Sequence, residues 1–287
     1  GVPVFNAPGA NANAVKELVL TGMLLAARNI CPAWDFARNL EGDDAGISKA
    51  VEAGKKNFVG TELPGRTLGV IGLGAIGVLV CNAAKALGMN VVGYDPDITV
   101  QSAWQLSADV QKASSVDDLL GRVDYVSFHV PLVDATRNMI NADRLKHMKD
   151  GVVILNFARN GIVDDEAVVK AIDAGKVGGY VCDFPSNLLK DHPKVVTLPH
   201  LGASTLEAEE NCAIMVADQV REFLENGNVR NSVNFPEVFM PRSDGQRLAV
   251  VNANVPKMLG QISTVLADTG HNIIDMLNKS RGELAYT

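Results

Sequence analysis

The chain has few cysteines, no surplus of positive charge and no long apolar run. Its four cysteines are scattered, without a Cys-x-x-Cys pair or a metal-ligand spacing, so we expect reduced thiols, a cytoplasmic protein and no metal site. A net charge of −7 argues against a nucleic-acid partner. The most apolar run, residues 18–27, is too short to cross a bilayer, which takes about 20 apolar residues. At 287 residues, the chain is long enough for about two globular domains.

One glycine-rich stretch organises the rest of the sequence. A short apolar run, residues 67–71, leads into Gly72-x-Gly74-x-x-Gly77, and an amphipathic helix pattern follows over residues 75–87. Asp95 closes the next apolar run, at the distance expected for an acid that binds a ribose. Because a carboxylate accepts hydrogen bonds from ribose hydroxyls and repels a 2′-phosphate, the pattern favours NAD over NADP. The alternative is a structural glycine turn in an unrelated α/β protein.

Apolar strands then alternate with helix patterns along the chain. Strands are predicted over residues 90–94, 123–129, 152–157, 178–182 and 195–198, with helices over residues 12–29, 32–40, 114–120, 137–148, 164–174 and 205–226. The charged, glycine-rich segment 41–59 is predicted to lie on the surface. This rhythm predicts an α/β fold with a doubly wound, parallel Rossmann sheet that binds its ligand at the carboxyl ends of the strands.

Four polar side chains follow the predicted strands. Asp95, Arg159, Asp183 and His200 each stand at a carboxyl end, so one cleft could hold them all. An arginine there suits a bound carboxylate, and a histidine carries protons near neutral pH. The alternatives are a surface ion pair for Arg159 and a packed or surface ring for His200.

Several motifs in order resemble the D-isomer-specific 2-hydroxyacid dehydrogenases. They are residues 4–8 (Val-Phe-Asn-Ala-Pro), 72–77 (Gly-Leu-Gly-Ala-Ile-Gly), 128–132 (Phe-His-Val-Pro-Leu), 156–164 (Asn-Phe-Ala-Arg-Asn-Gly-Ile-Val-Asp), 199–205 (Pro-His-Leu-Gly-Ala-Ser-Thr) and 232–236 (Ser-Val-Asn-Phe-Pro). The resemblance covers nearly the whole chain and is strongest to the serine-biosynthesis branch. It implies NAD-dependent oxidation of D-3-phosphoglycerate to 3-phosphohydroxypyruvate.

The same resemblance assigns roles to single residues. Arg159 would bind the substrate carboxylate, His200 would take the hydroxyl proton, Asp183 would hold the nicotinamide carboxamide and Asn6 would lie at the substrate side. The full set implied for cofactor binding is Gly72, Gly74, Ala75, Ile76, Gly77, Asp95, His129, Pro131, Thr136, Ala158, Arg159, Asp183, His200 and Gly202.

Two departures from the family pattern affect these expectations. The family has a glutamate four to five residues after the Asp183 position, where this chain has Asn187 and Leu188, and Asp191 is the nearest acid that could replace it. The family's opening segment, which forms most of the substrate domain, is also absent from this sequence. We therefore expect residues 1–287 alone to bind NAD without turning over substrate.

The resemblance implies a division into three domains. Residues 1–11 and 203–240 would be remnants of a flavodoxin-like substrate domain, residues 12–202 the NAD-binding domain, and residues 245–287 a partial ACT-like α+β domain. In that last part we predict strands over residues 247–252 and 272–277 and another opening at residue 284. Asn252, Asn254 and Asn272 fall where such domains bind L-serine, although they could instead cap turns.

Two further interpretations of function stay open. The protein could be another D-2-hydroxyacid dehydrogenase, such as a glyoxylate or hydroxypyruvate reductase. It could also be a non-catalytic NAD-sensing module, which the missing glutamate allows. The resemblance further implies a homodimer or homotetramer, because the helix predicted over residues 12–29 packs across a dimer in the family.

Overall fold

A computed structural model describes residues 1–287. The chain forms two compact units: a central unit, Asn11–Ala208, and a flanking unit made of Gly1–Ala10 and Glu209–Thr287. None of the helices combines the length and the apolar character that a membrane crossing requires.

A seven-stranded parallel sheet forms the middle of the central unit. Its strands are β1 (Thr67–Ile71), β2 (Asn90–Tyr94), β3 (Gln111–Lys112), β4 (Tyr125–Phe128), β5 (Val152–Asn156), β6 (Val177–Cys182) and β7 (Val195–Thr197). Their order is β3-β2-β1-β4-β5-β6-β7, with every pair parallel. The predicted doubly wound sheet is confirmed, and its order reverses between β1 and β4, where such sheets bind ligands.

Helices cover both faces of this sheet. They are α1 (Ala12–Ala27), α2 (Ile30–Arg38), α3 (Asp44–Gly54), a 3-10 turn (Lys55–Phe58), α4 (Ala75–Ala86), α5 (Val100–Gln105), α6 (Val116–Leu120), α7 (Ala142–His147) and α8 (Asp165–Asp173). Successive strand residues point to opposite faces. Thus Val70 and Leu155 pack with α1 and α4, whereas Ile71 and Ile154 pack with α6, α7 and α8.

Segment 41–59 is mostly exposed, as predicted, and contains α3, because the Asp43 side chain accepts the backbone N–H of Gly46 and caps the helix. Two predicted helix bounds in the central unit are wrong. The second helix begins at Ile30 and not at Pro32: Asn29, at φ +51°, makes the turn after α1, and Pro32 lies in the first turn of α2, where it has no hydrogen bond to lose. In the segment 137–148, α7 begins only after Asn141, whose side chain caps it.

The flanking unit contains most of α9 (Leu206–Asn226), then β8 (Val251–Ala253), α10 (Met258–Asp268), β9 (Lys279–Arg281) and β10 (Leu284–Tyr286). The strands form an antiparallel sheet in the order β8-β10-β9. The strand expected at residue 284 is therefore present. The strand predicted over residues 272–277 is wrong, because β10 pairs instead with the adjacent β9 across a turn at Gly282, φ +59°. The ACT-like assignment stays a prediction.

Candidate active site

Each glycine of the loop between β1 and α4 meets a different steric requirement. Gly72 has φ +91°, and a Cβ there would lie 2.5 Å from the His129 carbonyl oxygen. A Cβ on Gly77 would lie 1.9 Å from the Gly72 carbonyl oxygen, which requires glycine where α4 starts beside the loop. A Cβ on Gly74 would meet no atom within 4 Å. The loop is therefore closely packed at Gly72 and Gly77, where a side chain would clash, and has free space beside Gly74.

The open side of the loop faces the first turn of α4. Ala75 and Ile76 begin that helix, and first-turn N–H groups have no partner within their own helix. Together with the positive end of the helix dipole, they form a site suited to a phosphate group.

Asp95, at the end of β2, braces this loop. Its Oδ2 accepts a hydrogen bond from the Leu73 backbone N–H at 2.7 Å, and its Oδ1 accepts one from Asp97 at 2.9 Å. The carboxylate thus lies beside the glycine loop, and each of its oxygens accepts a hydrogen bond from a backbone N–H group.

The loop after β4 carries His129, Pro131 and Thr136. The Thr136 hydroxyl donates to the Pro131 carbonyl at 2.6 Å and accepts from the Val133 N–H at 2.9 Å, which closes the loop. The His129 Nε2 lies 3.0 Å from the Oγ of buried Ser127. Loss of solvation lowers the pKa of His129 to about 4, so this ring is neutral at pH 7.

The lowered pKa of His129 predicts a pH-dependent contribution to stability. An unfolded histidine titrates near pH 6.5, so between about pH 6.5 and 4 the unfolded chain binds this proton and the folded protein does not; stability therefore falls as pH drops through that window. Glutamine at position 129 can keep the bond to Ser127 but does not titrate. Between about pH 7 and 5, we expect the free energy of unfolding of His129→Gln to fall by about 1 to 2 kcal/mol less than that of the wild type. Urea unfolding of both proteins at each pH measures this, and parallel pH dependences would contradict it.

Arg159 follows β5 and is exposed. Its guanidinium donates only to the Ala158 carbonyl at 2.7 Å and forms no ion pair with a carboxylate. Buried Asn156 orders the turn that presents it: the Asn156 Nδ2 donates to the Arg159 carbonyl at 3.0 Å, and its Oδ1 accepts from the Ala158 N–H at 3.3 Å. The site therefore presents an unpaired cation on an ordered turn.

Asp183 and His200 belong to adjacent strand ends, after β6 and β7. Asp183 is 1% exposed, and its two oxygens accept the N–H groups of Leu201 at 3.0 Å and Gly202 at 2.9 Å. His200 is exposed, has φ +57°, and its ring lies edge to face with Phe184 at 5.3 Å between centroids. No hydrogen bond or ion pair joins the imidazole to Asp191 or another acid.

The parallel sheet therefore places Asp95, Arg159, Asp183 and His200 along one edge, together with the glycine loop. Sequence reasoning missed Asn156, which orders the turn that carries Arg159, and Phe184, whose ring packs against that of His200. A signal for Asn156 was available, since a lone amide ends an otherwise apolar strand. Nothing in the sequence distinguishes Phe184 from an ordinary core residue.

The remaining predicted site residues lie in the flanking unit. Asn6 donates its backbone N–H to the Asn231 carbonyl at 3.0 Å, and its Oδ1 accepts from Ala7. The side-chain amide of Asn254 is bonded at both ends: its Nδ2 donates to the Gly282 carbonyl, and its Oδ1 accepts from the Ser280 hydroxyl. Asn272 lines a cavity of about 620 Å³ that neither Asn252 nor Asn254 reaches. These three asparagines do not line one cavity.

A parallel sheet with a glycine loop at its switch point and an acid ending the second strand defines a Rossmann-type dinucleotide-binding domain. The family model described as D-isomer specific 2-hydroxyacid dehydrogenase, NAD binding domain, matches residues 20–202. The chain belongs to this family and carries its NAD-binding domain. The family resemblance and the NAD cofactor expected from the sequence are confirmed.

Individual relatives agree with this assignment. The chain is 36% identical over 291 residues to D-3-phosphoglycerate dehydrogenase of Methanocaldococcus jannaschii, covering 99% of this chain and 52% of that protein. It is 33% identical over 299 residues to the enzyme of the same name from Haemophilus influenzae, covering 100% of this chain and 69% of that one. A solved glyoxylate reductase from Paecilomyes thermophila superposes with a TM-score of 0.67 at 29% identity, covering 81% and 68% of the two chains. The chain thus spans about half the length of the archaeal relative.

Proposed function

We propose that the protein containing this chain oxidises D-3-phosphoglycerate to 3-phosphohydroxypyruvate with NAD, the first step of phosphorylated L-serine biosynthesis. The observation that carries the proposal is that two exposed side chains lie on the same carboxyl edge of the sheet as the glycine loop. They are Arg159, whose guanidinium has no ion-pair partner, and His200. The names of the archaeal and bacterial relatives support the choice of substrate.

The residues of this edge suit the cofactor. The space in front of Gly74 admits a pyrophosphate against the first turn of α4, and Asp95 stands where a ribose would follow. The loop of His129, Pro131 and Thr136 and the turn at Ala158 would border the nicotinamide, and Gly202 would lie beside it. When bound, NAD supplies the hydride acceptor.

The proposed chemistry needs one anion clamp and one proton carrier. Arg159 binds the substrate carboxylate through two parallel N–H bonds and so orients C2. As the C2 hydrogen leaves as hydride, His200 takes the proton of the C2 hydroxyl and the carbonyl forms. In the reverse direction, protonated His200 returns that proton to the carbonyl oxygen. Asn6, at the start of the chain, is proposed to contact the substrate.

Substrate assays on the full-length protein test this function. We expect NAD reduction with D-3-phosphoglycerate, at a kcat/KM about tenfold or more above those for glyoxylate, hydroxypyruvate and D-lactate in the directions they support. A preference for glyoxylate or hydroxypyruvate would overturn the proposed substrate but not the proposed roles of Arg159 and His200. NADH binding without turnover of any of these acids would favour an NAD-sensing module, an alternative supported by the lack of a hydrogen bond or ion pair between the His200 imidazole and an acid.

Asp95 is expected to govern the choice of dinucleotide. We predict that Asp95→Asn raises the Kd of NADH about tenfold or more, because a charged acceptor of ribose and backbone bonds is lost. The same change narrows discrimination against NADPH, since the 2′-phosphate no longer meets a carboxylate.

Fluorescence titration with both dinucleotides measures the two effects of Asp95→Asn. Asp97→Asn is the matched control, because Asp97 is exposed and its side chain makes no hydrogen bond. An unchanged ratio of the NADH and NADPH Kd values in Asp95→Asn would rule out this role.

Oligomerisation and effector binding are proposed on narrower grounds. Leu24 of α1 and Ile30 and Trp34 of α2 are 43%, 45% and 61% exposed, which supports a homodimer or homotetramer through these helices; light scattering on the full-length protein tests it.

L-serine is proposed as an effector at Asn252, Asn254 and Asn272. The Asn252 Oδ1 is buried without a hydrogen-bond partner, which supports a role for this residue, and calorimetric titration with L-serine and D-serine tests the effector.

A further inference from the structure

His200 has a fixed backbone but no polar partner for its ring. Its φ of +57° lies in the left-handed region that side chains other than glycine seldom adopt. The next two N–H groups, of Leu201 and Gly202, both donate to the buried carboxylate of Asp183. These two hydrogen bonds hold the backbone beside His200 in place. The imidazole itself makes no hydrogen bond, and its contact is the edge-to-face packing on Phe184.

Phe184 is itself firmly held. It directly follows Asp183, and its carbonyl accepts a bond from the buried Cys182 thiol, with sulfur and oxygen 3.7 Å apart. Its half-buried ring packs against the hydrophobic cluster that α6, α7 and α8 form with the sheet. A ring anchored in the core can restrict the rotation of an exposed neighbouring ring.

We propose that Phe184 is a positioning residue for His200. Asp183 holds the backbone of His200 and Phe184 holds its imidazole, so two consecutive residues at the end of β6 set the direction in which His200 takes and returns the substrate proton. The inference rests on the proposed function of His200. It also gives Asp183 a backbone-holding role that does not require contact with the nicotinamide.

Two substitutions and a control test the positioning role by kinetics. In the full-length protein, Phe184→Leu keeps an apolar side chain but removes the ring, and is expected to lower kcat about tenfold, the order of effect that aromatic pairs produce. The KM and the NADH Kd should stay within about twofold, because Phe184 is not among the residues proposed to bind substrate or cofactor. Phe184→Tyr keeps the ring and should restore kcat.

Phe36→Leu serves as the matched control. Phe36 forms a tilted aromatic pair with Phe58 at a similar separation, 5.2 Å between centroids, and belongs to α2 rather than to the carboxyl edge. It should leave kcat unchanged. A wild-type kcat in Phe184→Leu, equal losses in the Leu and Tyr variants, or a rise in NADH Kd that matches the loss of kcat would each overturn the proposal.

An NMR measurement separates this inference from the proposed function. The chain has five histidines, and the His200 ring signal is identified by its loss in His200→Asn. Ring current from Phe184 should shift that signal in the wild type, and Phe184→Leu should remove the shift while Phe184→Tyr keeps it. If the wild type oxidises no hydroxy acid but shows this pattern, the proposed function fails and the contact stands. If the signal is the same in wild type and Phe184→Leu, the positioning role fails.

Discussion

Replacing His200 by asparagine is expected to lower kcat for D-3-phosphoglycerate oxidation about 10²–10⁴-fold, the usual contribution of a positioned acid–base group. Asparagine suits the test because it tolerates the left-handed backbone found at this position better than most residues. The bonds from Leu201 and Gly202 to Asp183 should then persist. Loss of activity would report the missing proton carrier and not a rearranged loop.

Stopped-flow measurement of NADH formation in wild type and His200→Asn provides this comparison. The NADH Kd should change by less than about threefold, since the imidazole acts on the substrate hydroxyl. His192→Asn is the matched control, because His192 pairs with Asp173 at 3.2 Å and lies outside the carboxyl edge. Retention of most of the wild-type kcat in His200→Asn would remove His200 from the mechanism.

Gly77→Ala is expected to destabilise the protein by about 3 kcal/mol and to weaken NADH binding. The added methyl group would lie 1.9 Å from the Gly72 carbonyl oxygen, so either α4 or the loop must move, and overpacking of this kind costs about 1–3 kcal/mol or more. For a domain of this size, 3 kcal/mol corresponds to a Tm lower by roughly 6–12 °C. The displaced helix would no longer present its first turn to a phosphate.

Gly74→Ala gives the matched comparison in the same loop. Its methyl group would meet no atom within 4 Å, and its φ of −77° is one that alanine adopts freely. We expect an unchanged Tm with a NADH Kd raised about tenfold, because the methyl group enters the space proposed for the pyrophosphate. Thermal unfolding and NADH titration of both variants test the pair. A wild-type Tm in Gly77→Ala would show that the loop is not closed as described.

The elements nearest the glycine loop were predictable because their patterns are local. Apolar runs of strand length predicted β1, β2 and β5 within a residue of their observed bounds, and Ser115 and Asp164 cap α6 and α8 as their positions suggest. Their place at the ends of parallel strands also predicted that Asp95, Arg159, Asp183 and His200 would share one edge.

Predictions failed where distant contacts or neighbouring pairings compete. Segment 41–59 lies at the surface as predicted, but its sequence did not indicate the helix α3, which depends on Phe36 packing over Gly54 as well as on its cap. Residues 272–277 have the apolar character of a strand, but β10 takes its hydrogen bonds from β8 and β9. Lys257, at φ +73° before α10, occupies a conformation that favours glycine, and its identity alone did not indicate this.

The sequence by itself determined the Rossmann fold, the family and the set of polar residues at the strand ends, because glycine spacing and strand periodicity follow from local geometry. The tertiary structure alone decided what those residues hold. Asp95 reaches Leu73 across 22 positions of sequence, and Asp183 reaches Leu201 and Gly202 across 18 and 19. Hydrogen bonds over such separations exist only once the strands are side by side. For the same reason, only the folded sheet brings Phe184 against His200.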